Sequence, residues 1–148
     1  MAIRPKMKVV KVVSKLEEGF KVVSKADGHT IIQDLPKPLG GADSGPTPTA
    51  LILASLAGCI CIVARFHAEK KGIKIEDMEV TVSGEFDPRG FAGEDVKPGF
   101  QKIEVEVKIK SPNTEEEIKK FIEFVEKHCP IGDTIVSPTK VEVKITKV

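Results

Sequence analysis

The sequence contains no Trp and no Tyr, and Phe supplies all seven of its aromatic residues. The usual residues that stack on the bases of single-stranded nucleic acid are therefore missing, apart from Phe. The sequence also lacks a large excess of positive or negative charge, because its 23 basic and 22 acidic residues leave a net charge of +1. Neither nucleic acid nor an anionic membrane is an expected partner of such a chain.

Segments for export or membrane insertion are also missing. Charged residues interrupt the first positions of the chain, so these do not form the apolar region of a secretory signal. The longest apolar run, 50–64, is shorter than a membrane-spanning helix and contains Ser55 and Gly58. We therefore expect a cytoplasmic protein, in which cysteines serve as thiols or catalytic groups rather than as a disulfide framework. At 148 residues the chain is predicted to form a single domain, 1–148.

Arginine and side-chain amides are scarce. The chain has 3 Arg beside 20 Lys, and its only amides are Gln33, Gln101 and Asn113. An excess of Lys and Glu with few thermolabile amides is typical of hyperthermophile proteins. The composition predicts a thermophilic protein whose melting temperature exceeds about 65 °C, the upper end of the mesophile range.

The hydrophobic pattern predicts an α+β fold. Val-rich segments split by Gly-containing turns predict an opening three-stranded meander. Thr47 and Pro48 ahead of an apolar run predict a long central helix that stops at Gly72. The predicted segments are strands at 6–14, 19–26 and 29–35, a helix at 48–71, strands at 73–86 and 101–110, a helix that starts within 111–117 and ends near Cys129, and a last strand at 139–148.

The central helix has almost no polar face between residues 50 and 64. A helix that is apolar all round must be covered all round, and one chain of this size covers only part of it. We therefore expect an obligate homodimer with a buried helix pair. The small residues that permit close approach of the two helices are Ala54, Ser55, Ala57 and Gly58.

Three further kinds of site find little support in the sequence. Potential metal ligands exist, but Cys59 and Cys61 lie two residues apart on a helix and so point about 200° away from each other. A CxxC spacing typical of structural zinc is missing. The Gly-rich stretch 40–45 lacks the lysine of a P-loop, and no nucleophile elbow is present. No metal and no cofactor is expected, and His67 and His128 are interpreted as solvated helix residues.

Cys59 and Cys129 remain as the candidate site. Cys59 lies in the apolar helix and Cys129 closes a charged amphipathic segment about 70 residues later. If the fold brings them together, they form a dithiol with redox chemistry. If it does not, they are core residues, as we interpret Cys61, because free cysteine is among the most buried residue types.

The residues around these two cysteines resemble the OsmC/Ohr family, the osmotically inducible and organic-hydroperoxide-resistance proteins. The resemblance rests on GPTPTALILASLAGC at 45–59, RFHAEKKG at 65–72 and HCPIGD at 128–133, together with the order of elements. It implies an OsmC-like fold in an intertwined homodimer with active sites at the subunit interface. It also implies that Cys59 reduces an organic hydroperoxide and becomes a sulfenic acid, which Cys129 resolves as a disulfide for an external dithiol to reduce.

The sequence departs from this family pattern beside Pro48. Family peroxidases carry a Glu there that pairs with an Arg near the thiolate, whereas this chain has Thr49 and Ala50. A second interpretation therefore stays open, a non-peroxidatic OsmC-like dimer that binds a small molecule or handles thiol and sulfur chemistry at the interface. A third is a stable dimer with inert cysteines. The arginines of the chain are Arg4, Arg65 and Arg89, and none matches the family Arg clearly.

Overall fold

A three-stranded antiparallel sheet in the order β1-β2-β3 lies near the start of the computed structural model, which describes residues 2–148. This confirms the predicted meander, although β1 begins later than expected. The reason is the register: the first residue of β1, Val12, pairs with the last residue of β2, Ala26, so β2 offers no partner to earlier residues. The strands are β1 Val12–Leu16, β2 Val22–Ala26 and β3 His29–Gln33.

A buried carboxylate organises the loop that follows β3. Asp34 is 2% exposed and accepts hydrogen bonds from Leu35 N at 2.8 Å, Ser44 N at 3.1 Å and Ser44 Oγ at 2.6 Å. The bond from the Ser44 hydroxyl, with the backbone bonds, lowers the pKa of Asp34 against the opposing effect of burial. Asp34 therefore holds the Gly-rich stretch 40–45 in place through its hydrogen bonds with Ser44. These residues belong to the first of two compact units, which ends at Leu51; the second spans Ile52–Val148.

The central helix, α1, spans Pro48–Ala68. Thr47 caps it as predicted, since its Oγ1 accepts from Ala50 N at 3.2 Å. The helix has 21 residues and so exceeds the apolar run of the sequence analysis; its most apolar 18-residue window has a mean hydropathy of 2.1, and 17% of that window is buried. By length and composition alone this helix could cross a membrane, so the expectation that the apolar segment is too short for a bilayer was wrong. The core helix of a soluble protein passes the same test of length and composition.

Two long antiparallel strands form the sheet of the second unit, β4 Asp77–Glu85 and β5 Lys102–Lys110. Their alternation turns one face toward the core and leaves Lys and Glu outside, as predicted. The predicted loop between them contains a single helical turn, α2 Pro88–Phe91, capped by Asp87. The buried core of this unit consists of Leu56, Ile60, Ala64, Ala68, Ile73, Ile75, Phe121, Val125 and Cys129.

Two helices complete the second unit. The predicted one, α3, spans Glu115–Lys127 and begins with a capping box in which Thr114 and Glu117 satisfy each other's backbone N–H groups. The chain then forms a helix that was not predicted, α4 Pro130–Val136, with Cys129 as its N-cap. Pro130 was interpreted as a helix end, but proline also suits the first turn of a helix, because its missing N–H would have no partner there.

The predicted last strand, 139–148, is wrong for the single chain. These residues form no strand and are exposed, and Val141, Val143 and Ile145 each leave more than four-fifths of their surface in solvent, at 81%, 81% and 88%. The alternating pattern is present, but a strand exists only where a neighbouring strand supplies its hydrogen bonds. We call this segment the C-terminal arm.

Candidate thiol site

Cys59 lies where two faces of α1 meet. On one side the buried face of the helix begins with Leu56 and Ile60. On the other side lies a row of exposed residues, apolar except for Ser55, that is called here the exposed stripe and consists of Ile52, Ser55, Ile62 and Phe66. Its large residues are 44% (Ile52), 72% (Ile62) and 78% (Phe66) exposed. Cys59 itself is partly buried and packs against the core.

Cys129 is held in place by the start of α4. It is 2% exposed, and its Sγ accepts a hydrogen bond from Gly132 N at 3.3 Å. The same sulfur therefore caps the helix that follows it. A Cys–Pro pair followed by Gly permits this geometry, because Pro130 starts the helix and Gly132 adds no side chain beside the sulfur.

The structure brings the two predicted thiols together within one chain. The pKa of Cys59 is raised above its ordinary value, first by burial and then by the nearby Cys129 thiol. A hydrogen bond from the backbone N–H of Ile131 opposes the rise. Both sulfurs therefore face the N–H groups at the beginning of α4.

The other cysteine and the histidines take no part in this contact. Cys61 lies two residues beyond Cys59 on the same helix. His128 stacks on the Phe124 ring with centroids 4.1 Å apart, and its Nδ1 lies 2.8 Å from Phe124 O. The His67 ring meets the Phe124 ring edge-on. Within residues 2–148, no group of three or more His, Cys, Asp or Glu side chains is arranged to hold a metal ion.

The arginines of the second unit do not activate the thiols. Arg89 forms an ion pair with Asp87 in its own turn, with Nη2 and Oδ2 2.6 Å apart. Arg65 is exposed on α1, six residues beyond Cys59. The groups that shift the Cys59 pKa include no cationic side chain of the described chain. In the single chain, Cys59 therefore lacks the positive charge that lowers the pKa of reactive cysteines.

An open cleft of about 420 Å³ leads to the thiol pair from outside, and Cys129, but not Cys59, lies in its wall. We call it the Cys129 cleft. The sequence analysis did not predict this cleft. It also did not predict that the backbone N–H groups of Ile131 and Gly132 act on the two sulfurs, because a backbone donor has no side-chain signature in the sequence. The lining of the cleft is mostly apolar and consists of Leu56, Ile60, Ile103, Val105, Ile135 and Val136, with Gly132 and the charged Glu126, Lys127 and Asp133.

Comparison with known proteins agrees with the fold and with the motifs. The sequence model of a family described as OsmC-like protein matches residues 41–144. The chain belongs to the OsmC-like family. Among curated relatives, a hydroperoxide reductase of Mycoplasma pneumoniae is 38% identical over 103 residues, which cover 68% of this chain and 71% of the relative. A hydroperoxide reductase of Mycoplasma genitalium is 34% identical over 106 residues, covering 70% of this chain and 73% of the relative.

Solved structures confirm the α+β OsmC-like fold. The crystal structure of an OsmC-like protein from Mycoplasma pneumoniae is 32% identical, with a TM-score of 0.77 over 87% of this chain and 88% of the other. An organic hydroperoxide resistance protein OsmC from Legionella pneumophila is 19% identical, with a TM-score of 0.66 over 88% of this chain and 91% of the other. The second likeness shows the fold alone.

Proposed function

We propose that this chain is a thiol-dependent peroxidase that reduces organic hydroperoxides and serves in oxidative-stress defence. The observation that carries the proposal is the proximity of Cys59 to Cys129, since Cys59 packs against the buried core to which Cys129 belongs and Cys129 raises the pKa of Cys59. Relatives that are named hydroperoxide reductases support the same function. The apolar surroundings of the thiols favour organic hydroperoxides over hydrogen peroxide, because the apolar part of an organic hydroperoxide gains free energy when it leaves water for an apolar environment.

The reaction requires two steps at sulfur. The Cys59 thiolate attacks the outer oxygen of the hydroperoxide; the O–O bond breaks, the alkoxide leaves and takes up a proton as the alcohol, and Cys59 becomes a sulfenic acid. The Cys129 thiol then attacks the Cys59 sulfur and displaces the hydroxyl group as water. The resulting disulfide returns to two thiols when an external dithiol supplies two electrons and two protons.

We further propose that the working unit is a cytoplasmic homodimer in which each chain forms one OsmC-like domain. Two features of the single chain support a second copy as the missing partner. The exposed stripe leaves Ile62 and Phe66 in solvent, and such a continuous apolar row marks an interaction surface. The C-terminal arm has the alternation of a strand but no strand partner among residues 2–148, and pairing with the sheet edge of a second copy would supply one.

A second function follows from the raised pKa of Cys59. A thiol that burial keeps protonated, with Thr49 and Ala50 where family peroxidases carry Glu, is poorly prepared to attack a peroxide. This favours the alternative in which the dimer binds a small molecule or handles thiol and sulfur chemistry at its interface. The two functions differ in whether Cys59 consumes peroxide.

A peroxidase assay separates the two functions. Purified protein is mixed with cumene hydroperoxide and dithiothreitol, and peroxide consumption is compared among wild type, Cys59→Ser, Cys129→Ser and Cys61→Ser. We expect Cys59→Ser to abolish turnover, Cys129→Ser to let the sulfenic acid over-oxidise, and Cys61→Ser to behave as wild type. Wild-type protein that consumes peroxide no faster than Cys59→Ser would exclude the peroxidase and favour the alternative.

A further inference from the structure

A cluster of rings between α1 and α3 has no part in the chemistry described above. Phe124 of α3 is partly buried at its centre. The His67 ring of α1 meets the Phe124 ring edge-on, with centroids 4.9 Å apart, and the His128 ring stacks on it with centroids 4.1 Å apart. Lys71 Nζ lies 4.0 Å from the Phe124 centroid as a cation–π contact. We call these four residues the Phe124 clasp.

The clasp holds the backbone that leads into Cys129. His128 directly precedes Cys129 and is the C-cap of α3. Its Nδ1 lies 2.8 Å from Phe124 O, and its backbone N–H donates to the same oxygen at 3.2 Å. Since a carbonyl oxygen only accepts, the ring of His128 donates to it as well. The chain turns at once into α4, whose N-cap is Cys129, so the anchored His128 sets where Cys129 begins.

The same clasp is tied to Cys59 through α1. His67 follows Cys59 by eight residues, which on a helix is two full turns and about 80°, or about 12 Å along the axis. The helix α1 therefore meets the end of α3 at two levels, the ring contact of His67 with Phe124 and the thiol pair. Two separated contacts limit how one helix slides and rotates against another. Loss of the ring contact would let Cys59 move relative to Cys129.

We propose that Phe124 is a positioning residue for the thiol pair, which it holds at the separation from which Cys59 and Cys129 form a disulfide. The inference deepens the proposed function and rests on it, because that disulfide is the product of the resolving step. Phe124 acts through the backbone at Cys129 and through α1, not on the peroxide. Disulfide geometry is strict, so a small displacement of either helix stores strain in the bond.

A purely structural role of the clasp gives a different expectation. If Phe124 only stabilises the fold, its removal weakens oxidised and reduced protein equally, and the redox equilibrium of the thiol pair does not move. If Phe124 positions the thiols, its removal weakens the oxidised protein more, because the disulfide then strains the displaced helices. The reduction potential of the pair therefore distinguishes the two roles.

The experiment measures that potential on the full-length protein in buffers of reduced and oxidised dithiothreitol. Each equilibrium moves two electrons and two protons from the thiol pair to oxidised dithiothreitol, which becomes the dithiol. After an acid quench, free thiols are blocked with N-ethylmaleimide and counted on the Cys59 and Cys129 peptides by mass spectrometry. We expect Phe124→Leu to lower the equilibrium constant for the disulfide about tenfold, which is about 30 mV.

Two further variants are the controls. Phe124→Tyr keeps the ring and should restore the wild-type potential. Phe91→Leu removes a ring of α2 that is 78% exposed and should also leave the potential unchanged. Equal potentials in Phe124→Leu and wild type overturn the inference, and so does an equal shift in Phe91→Leu.

The outcomes separate this inference from the proposed function. If Phe124→Leu does not fold, His67→Leu removes the clasp from the α1 side, and an unchanged potential in that variant overturns the inference. A shifted potential together with absent peroxide turnover in wild type overturns only the proposed function. Wild type that forms no Cys59–Cys129 disulfide in any of these buffers overturns both.

Discussion

At the scale of single residues, Cys59 and Cys129 were the part of the site that the sequence could predict. Their flanking motifs indicated a dithiol, and the structure brings the two thiols near enough for Cys129 to raise the pKa of Cys59. The groups that complete the site were not predictable. The N–H of Ile131 and the N–H of Gly132 act on the sulfurs only because α4 begins at Pro130. Backbone donors are common to nearly all residue types, so only the fold reveals which of them meet a sulfur.

The raised pKa of Cys59 predicts how its reactivity depends on pH. Because burial favours the neutral thiol, the thiolate fraction at neutral pH is lower than in the unfolded chain. The rate of Cys59 alkylation by iodoacetamide should therefore rise with pH and level off at a higher pH than for the same cysteine unfolded in guanidinium. Peptide mass spectrometry over a pH series measures both. A plateau at lower pH in the native protein would contradict the expectation and would indicate a cation supplied by a second subunit.

At the scale of elements, the prediction succeeded where a segment's own residues satisfy its needs. The helix α3 carries its capping box, its acidic first turn and its apolar face in sequence, and the structure has all three. The helix α4 was missed because its signals are mixed: Pro130 both ends one helix and begins the next, and Gly132 lowers helix propensity. Short helices of this kind depend on the packing around them more than on their own sequence.

The capping box predicts the energetic weight of Thr114. Its Oγ1 accepts from Glu117 N at 3.2 Å, which satisfies one of the free N–H groups at the start of α3. Thr114→Ala should lower the free energy of unfolding by about 1 kcal/mol. Thr114→Ser keeps the hydroxyl group and serves as the control, which should stay near wild type. Urea unfolding followed by circular dichroism measures both variants, and equal stabilities would show that the cap contributes nothing.

The exposed stripe of α1 predicts the effect of a charge on association. In the proposed dimer, Ile62→Asp would bury a carboxylate without a partner, so the dissociation constant should rise roughly a hundredfold or more. Lys119→Asp places the same group on the exposed side of α3 and should leave association nearly unchanged. Equilibrium sedimentation of wild type and both variants tests this. A wild-type monomer at all concentrations would refute the dimer, and equal effects of the two variants would refute the assignment of the stripe.

At the scale of the whole molecule, the limit of the sequence analysis is clearest in the C-terminal arm. The alternation of Val141, Val143 and Ile145 predicts a strand, yet no strand in the described part of the chain pairs with it. The same holds for α1, whose apolar circumference is only partly covered by its own chain. Patterns in a sequence report what each segment requires. They do not report whether the requirement is met by the same chain or by another copy.

The proximity of Cys59 and Cys129 has a consequence for the whole molecule beyond chemistry at sulfur. A bond between them would close a loop of about 70 residues and restrict the unfolded chain, which stabilises the folded state by about 4 kcal/mol in the loop-entropy model. Oxidised protein should therefore melt about 10 °C above reduced protein. Differential scanning calorimetry with and without dithiothreitol tests this, with Cys129→Ser as the variant whose melting temperature should not respond. The thermal stability of this chain would then record its own redox state, so that a melting curve reads out how much of the population has met an oxidant.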